Sequence, residues 1–577
     1  EERYYLYGVF LELAHTVTAG RAGFITPNKF FESSAGESLR KFLSDSNIVG
    51  EVVDLNESQV FGQASIYTCL LFLENQNQNR EIQYKSINKS PESNLRRADW
   101  LTTELSEGGD KWTLASRKEK KILEKIEDRG LEFTEVAEHI YVGIQTSAND
   151  VFVLENCSTS DGTVRGYSNS LDQTVTVETE ITQTYVEGQN MSRYSSLDSE
   201  LRLIYPYSEN ANVLNEEELE NKYPLAYDYL EQNKTELKNR GGEGDEFDTW
   251  YAHWRQRHPD TFERKKIIVA QIVNEGQATY DYSGDIYFSN MLYSPGIDEE
   301  YKEEELGVLG ILNSSIVWYY VRQTGSVLRG GYYRYTSDYL SPISLPITED
   351  TSRLNQAVDD ILEYQSKFEE LNLSLLDHLG NYTDGQTLAD IGLTQPPRGA
   401  ADSILQATTE QYPNLRVGDV SVARESPSTV EIRLTARYKP EKLDDEVSGP
   451  VDDREPDQWG YVESDFEAAL RITDLTELEA DLIAAFVPVA VEEAGGFADF
   501  RETATKTNSL VDRLRKLMLP RVADVESGLE SYVQTKERAE ELETKIEETD
   551  ALIDEIVYEL YGLTDEEIEI VEEAVGE

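Results

Sequence analysis

Cysteine, histidine and long apolar runs are all scarce in this sequence. The two cysteines, Cys69 and Cys157, lie far apart in a chain of 577 residues. They indicate neither a disulfide framework nor a metal site, and they fit a reducing cytoplasm. The five histidines form no group with ligand spacing, which argues against zinc and against Ser-His chemistry. No run approaches the roughly 18 apolar residues of a membrane span and no signal peptide is visible, so we expect no membrane partner.

Basic residues are also few. The chain has 53 Lys and Arg against 111 Asp and Glu, a formal net charge of −58. Such an excess normally argues against nucleic-acid binding, because phosphate contacts need cations. The acid is spread over the whole chain, however, which suits a cytoplasm at molar salt, where the Debye length is only ~3 Å. The charge therefore predicts a halophilic microbe and says little about partners.

The first 85 residues alternate between helix and strand patterns. Leu6, Val9, Phe10 and Leu13 fall at helical spacing, and we expect this face to point inward. The order predicts half of a doubly wound sheet whose last two strands form an antiparallel hairpin. The predicted elements after this helix are a strand at 22–26, a helix at 36–43, a strand at 48–54, a loop at 56–63 and a strand at 66–73.

This half-sheet resembles the C-terminal half of a gamma-class DNA adenine-N6 methyltransferase, as built into type IIG restriction–modification enzymes. The segments that carry the resemblance are Leu6–Glu12, Gly23–Asn28, Leu39-Arg40 and Val60–Ala64. The family's cofactor loop and its Asn-Pro-Pro-Tyr tetrapeptide lie upstream of this stretch, and neither occurs here. With no initiating Met either, we expect an N-terminally truncated fragment that is inactive alone.

The resemblance implies three site residues in this half. Phe24 and Pro27 would border the S-adenosyl-L-methionine site, because ligands of open α/β sheets gather outside strand carboxyl ends. Phe61 would be the catalytic-site aromatic that stacks on a flipped adenine. The strands at 22–26 and 48–54 should run parallel, which places the loop carrying Phe61 on the same rim as Pro27. For Phe24 and Phe61 the alternative is a core aromatic.

Residues 131–350 predict a mixed β-rich domain. Its expected elements include a hairpin from 140–146 and 150–154, a helix at 223–240, a buried strand at 266–271 and a helical stretch at 306–320. The domain resembles a TaqI-like target-recognition domain, which reads DNA sequence from the major groove. The segments that carry this second resemblance are Gly143–Thr146, Asp150–Phe152, Trp250-Tyr251 and the tail from Arg334-Tyr335 to Pro346.

This second resemblance implies DNA contacts from Gln145, Thr146, Arg329, Arg334 and Tyr335. Arginine beside Gly330-Gly331 suits guanine recognition, because it is the commonest bidentate reader of that base. The alternative is a turn that needs positive φ, with the arginines paired to carboxylates. The clustered tyrosines could stack on bases, although we favour a core role for most of them.

The remaining segments are less distinctive. Residues 86–130 are expected to be a connector, and its basic run Arg117–Lys121 could lie along phosphates or be a solvated helix face. Residues 351–577 predict a helical C-terminal region with a small α+β insertion at about 400–473. Its last part, 525–560, predicts one long amphipathic helix or a hairpin of two, with a possible helical partner.

The sequence as a whole therefore predicts an α/β and β-rich multidomain chain that binds double-stranded DNA. The leading interpretation is the sequence-recognition part of an S-adenosylmethionine-dependent adenine-N6 DNA methyltransferase of a restriction–modification or phage-defence system. One alternative is a DNA specificity subunit that serves a separate methyltransferase chain. Another is an acidic helical scaffold that self-associates through residues 525–560. No metal ion is expected.

Overall fold

The computed structural model describes the chain except residues 1–5, 56–66, 75–80, 88–99, 138, 241–248, 256, 326, 329, 348–350, 397–402, 413, 440–455, 458, 493–507 and 577. The chain divides into two compact units. The first comprises residues 1–369 and 544–577, and the second residues 370–543. No helix of the described residues is both long enough and apolar enough to span a membrane.

The chain begins with a mixed five-stranded sheet in the order β1-β3-β2-β4-β5. Because β1 and β2 are both antiparallel to β3, they run parallel to each other, as predicted, and β2–β3 is the expected antiparallel pair. The last two strands were not predicted, because β4 follows the last predicted strand of this half and β5 lies in the segment assigned to a connector. The strand β4 pairs parallel with β2 and antiparallel with β5. The strands are β1 (Arg21–Pro27), β2 (Val49–Asp54), β3 (Thr68–Glu74), β4 (Glu81–Ser86) and β5 (Leu101–Glu104), and the helices are Leu6–Val17 and Glu37–Asp45.

The first helix turns the face opposite to our prediction toward the sheet. Leu11 and Ala14 are buried, and Tyr7 packs against the same core. The predicted inward face is wrong, because its members are largely solvent-exposed: Leu6 by 76%, Val9 by 59%, Phe10 by 56% and Leu13 by 54%. Both faces of this helix are apolar, so periodicity identified the residues that share a face without telling which face meets the sheet.

Arg40 holds the turns beside this sheet together. Its side chain is 3% exposed. Nε donates to the carbonyls of Gly109 and Asp110 at 2.9 and 2.8 Å, and Nη1 donates to those of Phe30 and Ser33 at 2.7 Å. Burial lowers the pKa of this guanidinium, yet four carbonyl acceptors replace the lost water. Arg40 of the Leu39-Arg40 pair therefore serves to hold the backbone of these turns in place.

Residues 131–347 form two larger sheets and two short strand pairs. A six-stranded sheet has the order β10-β9-β8-β12-β11-β16, and a four-stranded sheet the order β15-β13-β17-β7; β6 pairs with β19 and β14 with β18. The strands are β6 (Leu131–Glu132), β7 (His139–Val142), β8 (Val153–Ser160), β9 (Thr163–Ser168), β10 (Gln173–Glu178), β11 (Thr182–Val186), β12 (Arg202–Ile204), β13 (Lys266–Ala270), β14 (Ile272–Val273), β15 (Ala278–Asp281), β16 (Tyr287–Phe288), β17 (Leu292–Gly296), β18 (Tyr333–Arg334) and β19 (Ser344–Leu345).

The predicted hairpin between 140–146 and 150–154 does not form. The strand β7 pairs with β17, whereas β8 pairs with β9 and β12 in the other sheet. The buried strand at 266–271 is confirmed by β13, in which all five residues are buried. The helices of this region, with those that precede and follow it, are Arg117–Asp128, Phe133–Val136, Asn149–Phe152, Glu216–Lys222, Pro224–Gln232, Lys234–Asn239, Glu305–Asn313, Ser315–Thr324, Ser337–Leu340 and Ser352–Glu369.

The helix Val522–Tyr561 contributes residues to both units, and Asp565–Val575 follows it. In the first unit Ile553, Ile556 and Leu560 are buried in the core. Asp554 accepts hydrogen bonds there from the amide and hydroxyl of Ser315, at 2.8 and 2.6 Å. The apolar face that we considered for a helical partner or for self-association is therefore packed within the chain.

The second unit contains a four-stranded antiparallel path in the order β21-β25-β23-β22, with β24 also on β23. This unit, residues 370–543, extends well beyond the insertion predicted at about 400–473. Thr476 caps the helix Glu477–Glu492, because its Oγ1 accepts a hydrogen bond from the amide of Glu479 at 3.2 Å. The strands are β20 (Asp384–Thr387), β21 (Leu393–Gln395), β22 (Arg416–Ser426), β23 (Thr429–Tyr438), β24 (Val462–Glu463), β25 (Glu467–Thr473) and β26 (Met518–Pro520), and the helices are Leu375–Leu379, Glu477–Glu492 and Leu510–Arg515.

His253 gives the first unit a predictable response to acid. The ring is 5% exposed, and its Nε2 donates to the carbonyl of Ile204 at 3.0 Å. Burial lowers the pKa of His253 from 6.5 to about 3. At a pH between these two pKa values, the His253 ring is protonated in the unfolded chain but neutral in the folded chain. The free energy of unfolding therefore falls as pH drops below about 6.5.

We expect His253→Gln, which keeps a donor for Ile204, to remove part of this pH dependence. Between pH 7.5 and pH 5 the unfolding free energy of the parent chain should drop by about 2 kcal/mol more than that of the variant. Urea titrations at the two pH values measure this difference. The exposed His139→Gln is the matched control. An equal drop in His253→Gln and in the parent chain contradicts the assignment.

Candidate functional site

The carboxyl ends of β1 and β2 meet at one edge of the first sheet. Asn28, which follows β1, donates from Nδ2 to Oδ1 of Asp54 at the end of β2, over 2.9 Å. The carbonyl of Asp54 accepts from the amide of Ile87, which follows β4, also over 2.9 Å. The predicted common rim is therefore confirmed, with Pro27 on it and Phe24 half-buried three residues earlier. Phe61 lies outside the described residues.

The segment Gly143–Thr146 lies against the backbone of the loop between β16 and β17. The amide of Gly143 donates to the carbonyl of Leu292 at 3.2 Å, and that of Ile144 to Phe288 at 2.8 Å. A Cβ atom at position 143 would lie 2.3 Å from the carbonyl oxygen of Phe288 and 2.2 Å from that of Ser289. Only glycine permits this approach, which explains why the pattern has glycine at position 143.

Two of the expected DNA-binding residues turn out to be structural. Thr146 is 1% exposed, and its Oγ1 accepts from the amide of Ala148 at 3.0 Å. Tyr335 is 0% exposed, and its hydroxyl donates to the carbonyl of Leu312. Neither side chain is available to a ligand in this structure, because each is enclosed and already hydrogen-bonded. The tyrosine pattern predicted the core role that we favoured for most of this cluster.

Arg334 is exposed at the end of a tight hairpin. The amide of Leu328 donates to the carbonyl of Tyr332 at 2.6 Å, and Gly330 and Gly331 adopt φ of 88° and 82°. The glycines are therefore required by the turn, as our alternative interpretation held. Arg329 lies outside the described residues. Arg334 pairs across the strands with Ile272.

A chain of hydrogen bonds joins this hairpin to Gly143–Thr146. The amide of Tyr335 donates to the carbonyl of Gln271 at 2.8 Å. Nε2 of Gln271 donates to the carbonyl of Asn290 at 3.0 Å, and the amide of Asn290 donates to that of Ile144 at 2.9 Å. The structure thus connects the neighbours of Gln145 and Arg334, which are 189 positions apart in sequence (334 − 145).

Three arginines that were not predicted as DNA contacts donate hydrogen bonds to Gln145 or to residues close to it in sequence. The amide of Arg255 donates to the carbonyl of Gln145 at 3.1 Å. Arg257 Nε donates to the carbonyl of Val142 at 2.9 Å, and Arg240 Nη1 to that of Thr146 at 3.3 Å. We call Gln145, Arg240, Arg255, Arg257 and Arg334 the arginine edge. Its sequence signal was three arginines close to Trp250-Tyr251 in a chain with few cations.

Arg255 and Arg257 form a locally cationic pair on the arginine edge. Burial lowers the pKa of Arg240 to about 10. Burial, and then the charge of Arg255, lower that of Arg257. Among the described residues, no carboxylate forms an ion pair with Arg255, Arg257 or Arg334. By contrast, the basic helix Arg117–Asp128 is paired with the chain's own acids, through Arg117 to Glu81 and Lys125 to Glu567.

Guanidinium groups that form no ion pair with a carboxylate of the described residues can bind an anion, with Gln145 as an additional amide donor and acceptor. Within the described ranges, no group of three or more His, Cys, Asp and Glu side chains is placed to hold a metal ion.

Comparison with known proteins gives two matching families. Residues 184–347 match the TaqI-like C-terminal specificity domain, and residues 1–61 match the Eco57I restriction-modification methylase family. The first match contains four members of the arginine edge, whereas Gln145 precedes it. These two segments of the chain are therefore similar to a TaqI-like specificity domain and to part of a restriction-modification methylase.

The relatives are distant. The chain is 25% identical over 214 residues to the type II restriction enzyme and methyltransferase RM.Eco57I of Escherichia coli, covering 35% of this chain and 21% of that protein. It is 21% identical over 355 residues to the type II methyltransferase M.BstVI of Geobacillus stearothermophilus, covering 57% and 58%. A solved structure of the type IIL restriction-modification enzyme MmeI with DNA aligns with 63% of this chain and 44% of that one, at 12% identity and a TM-score of 0.41. The chain thus spans only part of these relatives.

Gly143→Ala tests the close approach on which the arginine edge rests. Because the added Cβ would overlap two carbonyl oxygens, we expect the free energy of unfolding to fall by about 1–3 kcal/mol. Urea unfolding measures this loss. Gly188→Ala is the matched control, since its Cβ would meet only Leu292 Cδ2 at 3.6 Å. Equal stability of the two variants would show that the backbone yields easily at position 143.

Proposed function

We propose that this chain is the DNA-recognition part of an S-adenosylmethionine-dependent adenine-N6 DNA methyltransferase of a restriction–modification system. The observation that carries the proposal is the arginine edge, where Arg255, Arg257 and Arg334 have no acidic partner among the described residues, in a chain of net charge −58. A concentration of cations against so strong an acidic background fits a polyanionic ligand. The edge lies almost entirely in the segment that matches a specificity domain, which supports duplex DNA as that ligand.

The side-chain types on the edge suit base recognition as well as phosphate binding. Arginine donates two hydrogen bonds to O6 and N7 of guanine, and glutamine pairs with N6 and N7 of adenine. Arg334 and Arg255 are exposed, and Gln145 is half-buried. Arg240 and Arg257 donate to backbone carbonyls, so we assign them the role of positioning the Gly143–Thr146 segment.

Arg334→Ala should weaken binding to the recognised duplex by ~1–3 kcal/mol and leave weak non-specific binding nearly unchanged. Duplexes that bind the parent chain are first selected from a pool. Gel shifts then measure the affinities for these selected duplexes and for random duplexes at molar salt, where the acidic surface is screened.

Arg165→Ala is the control for this experiment, because it removes one exposed arginine from β9 in the six-stranded sheet. An equal loss on selected and random duplexes would make Arg334 a phosphate contact. No DNA binding by the parent chain would overturn the proposed function.

The rim of the first sheet is proposed to form one wall of the methyltransferase site. Phe24 and Pro27 would border S-adenosyl-L-methionine; a half-buried aromatic at strand carboxyl ends fits an adenosyl ring. The cofactor supplies the methyl group. Phe61 remains our proposed stacking partner for the flipped adenine, since base–aromatic stacking contributes ~1–3 kcal/mol. The Asn-Pro-Pro-Tyr tetrapeptide is absent from the sequence, so we expect no methyl transfer by this chain alone.

We propose that the exposed apolar face of the helix Leu6–Val17 docks the cofactor-binding half of the methyltransferase. Five apolar residues of this helix are more than half exposed, and Ile25 on the neighbouring strand β1 is 45% exposed. The strand β1 is also an end strand of its sheet. An exposed apolar helix face and a strand at the end of its sheet, within the described residues, fit a fold that continues in another segment or chain.

Phe10→Glu with Leu13→Glu tests this docking. In a protein or complex that supplies the cofactor-binding half, methyl transfer should fall at least tenfold, because two charges would be buried unpaired. In this chain alone the thermal midpoint should stay within a few degrees, since both positions are exposed. Glu12→Gln on the same helix is the control. Unchanged methyl transfer by the double variant would exclude this docking face.

A further inference from the structure

Three cationic side chains converge on one tyrosine in the second unit. The guanidinium carbon of Arg416 lies 3.9 Å from the centre of the Tyr461 ring. Lys439 Nζ lies 4.7 Å from the same centre, and the guanidinium carbon of Arg437 5.2 Å. An aromatic face attracts a cation, but three like charges around one ring also repel each other. Such an arrangement is stabilised when an anion binds between the charges.

A tight turn places an exposed tryptophan beside these cations. Oδ1 of Asp457 accepts from the amides of Trp459 and Tyr461, at 2.9 and 2.8 Å, and the amide of Gly460 donates to the Asp457 carbonyl at 2.8 Å. Gly460 has a φ of 81°, which favours glycine. Trp459 is 63% exposed. A large aromatic side chain is thus exposed to solvent at this turn.

The charges of this cluster are only partly balanced. Asp457 forms an ion pair with Arg437, and the turn amides, ahead of this pair, hold the pKa of Asp457 below its ordinary value. For Arg416 and Lys439, the described residues provide no ion-pair partner. The five side chains Arg416, Arg437, Lys439, Trp459 and Tyr461 line an open cavity of about 490 Å³. We call this cavity the Trp459 groove.

We propose that the Trp459 groove binds an unpaired stretch of nucleic acid. A phosphate would lie between Arg416 and Lys439, and a base would stack on Trp459. Cations that track a phosphate backbone, combined with an exposed aromatic side chain, are the two elements of single-strand binding sites. An unpaired strand fits better than a duplex, because a duplex hides the base faces that an aromatic ring needs.

This site is separate from the proposed recognition of duplex DNA. It lies in the unit of residues 370–543, outside both matching segments, which end at residues 61 and 347. It also uses none of the residues of the arginine edge. The two proposals can therefore fail independently.

Fluorescence anisotropy of a labelled oligo-deoxythymidine, titrated with the complete chain, tests the proposal. Trp459→Ala should weaken binding about tenfold or more, whereas Trp459→Phe should retain most of the affinity, since stacking needs an aromatic face. Arg416→Ala should reduce the slope of log affinity against log salt by ~0.7, the value for one lost phosphate contact on a single strand.

Two further variants distinguish the Trp459 groove from general charge attraction and from the arginine edge. Arg433→Ala removes an arginine from β23, the strand that carries Arg437. Because Arg433 does not line the groove, this variant should leave affinity and slope unchanged. Arg334→Ala should likewise leave oligo-deoxythymidine binding unchanged. No binding by the parent chain, equal affinity of Trp459→Ala and the parent, or the same loss in Arg433→Ala as in Arg416→Ala would each overturn the proposal. A larger loss of duplex affinity than of oligo-deoxythymidine affinity in Trp459→Ala would overturn it as well.

Discussion

The close approach of Gly143 to the Phe288–Ser289 backbone is the contact on which the arginine edge depends. There β7, in the four-stranded sheet, continues into Ile144, which bridges to Ser289 just after the last strand of the six-stranded sheet. The two sheets are thus joined where the loop between β16 and β17 passes from one to the other. Any side chain at position 143 would separate them and displace Gln145 together with Arg255.

A second constraint is the small number of cations, which the fold divides between structure and surface. Arg40 and Lys266 are buried, and each donates to several acceptors. Lys266 pairs with Asp281, both side chains being 1% exposed, and donates to the carbonyl of Phe262 at 2.6 Å. Burying a charge costs several kcal/mol unless it is paired and hydrogen-bonded, so these side chains specify geometry more than they add stability. Exposed cations such as Arg334 and Arg255, which have no acidic partner in the described part of the chain, can then serve ligands.

Several features of the fold could be predicted because they depend on local chemistry. Glycine, proline and apolar spacing located the first strands and both helices of the sheet, and the crossover helix fixed the parallel direction of β1 and β2. The predicted hairpin at 140–154 is wrong, because sequence patterns identify strands but not their pairing partners. Two neighbouring strand patterns say nothing about whether each pairs with the other or with a distant strand, and here β7 and β8 entered different sheets.

By itself, the sequence determined the acidic surface, the order of elements in the first sheet, the buried strand β13 and the residue types suited to DNA. Each of these follows from composition or from spacing within about ten residues. Only the tertiary structure decided which apolar face of the first helix is exposed, and that Thr146 and Tyr335 are enclosed. It also placed Arg240 and Arg255 against the segment that carries Gln145, linked Arg334 to that segment through Gln271 and Asn290, and brought Arg416 and Lys439 around Tyr461. These outcomes depend on contacts between distant segments, whose geometry is set by sheet pairing and by glycine at close approaches, and no local pattern records them.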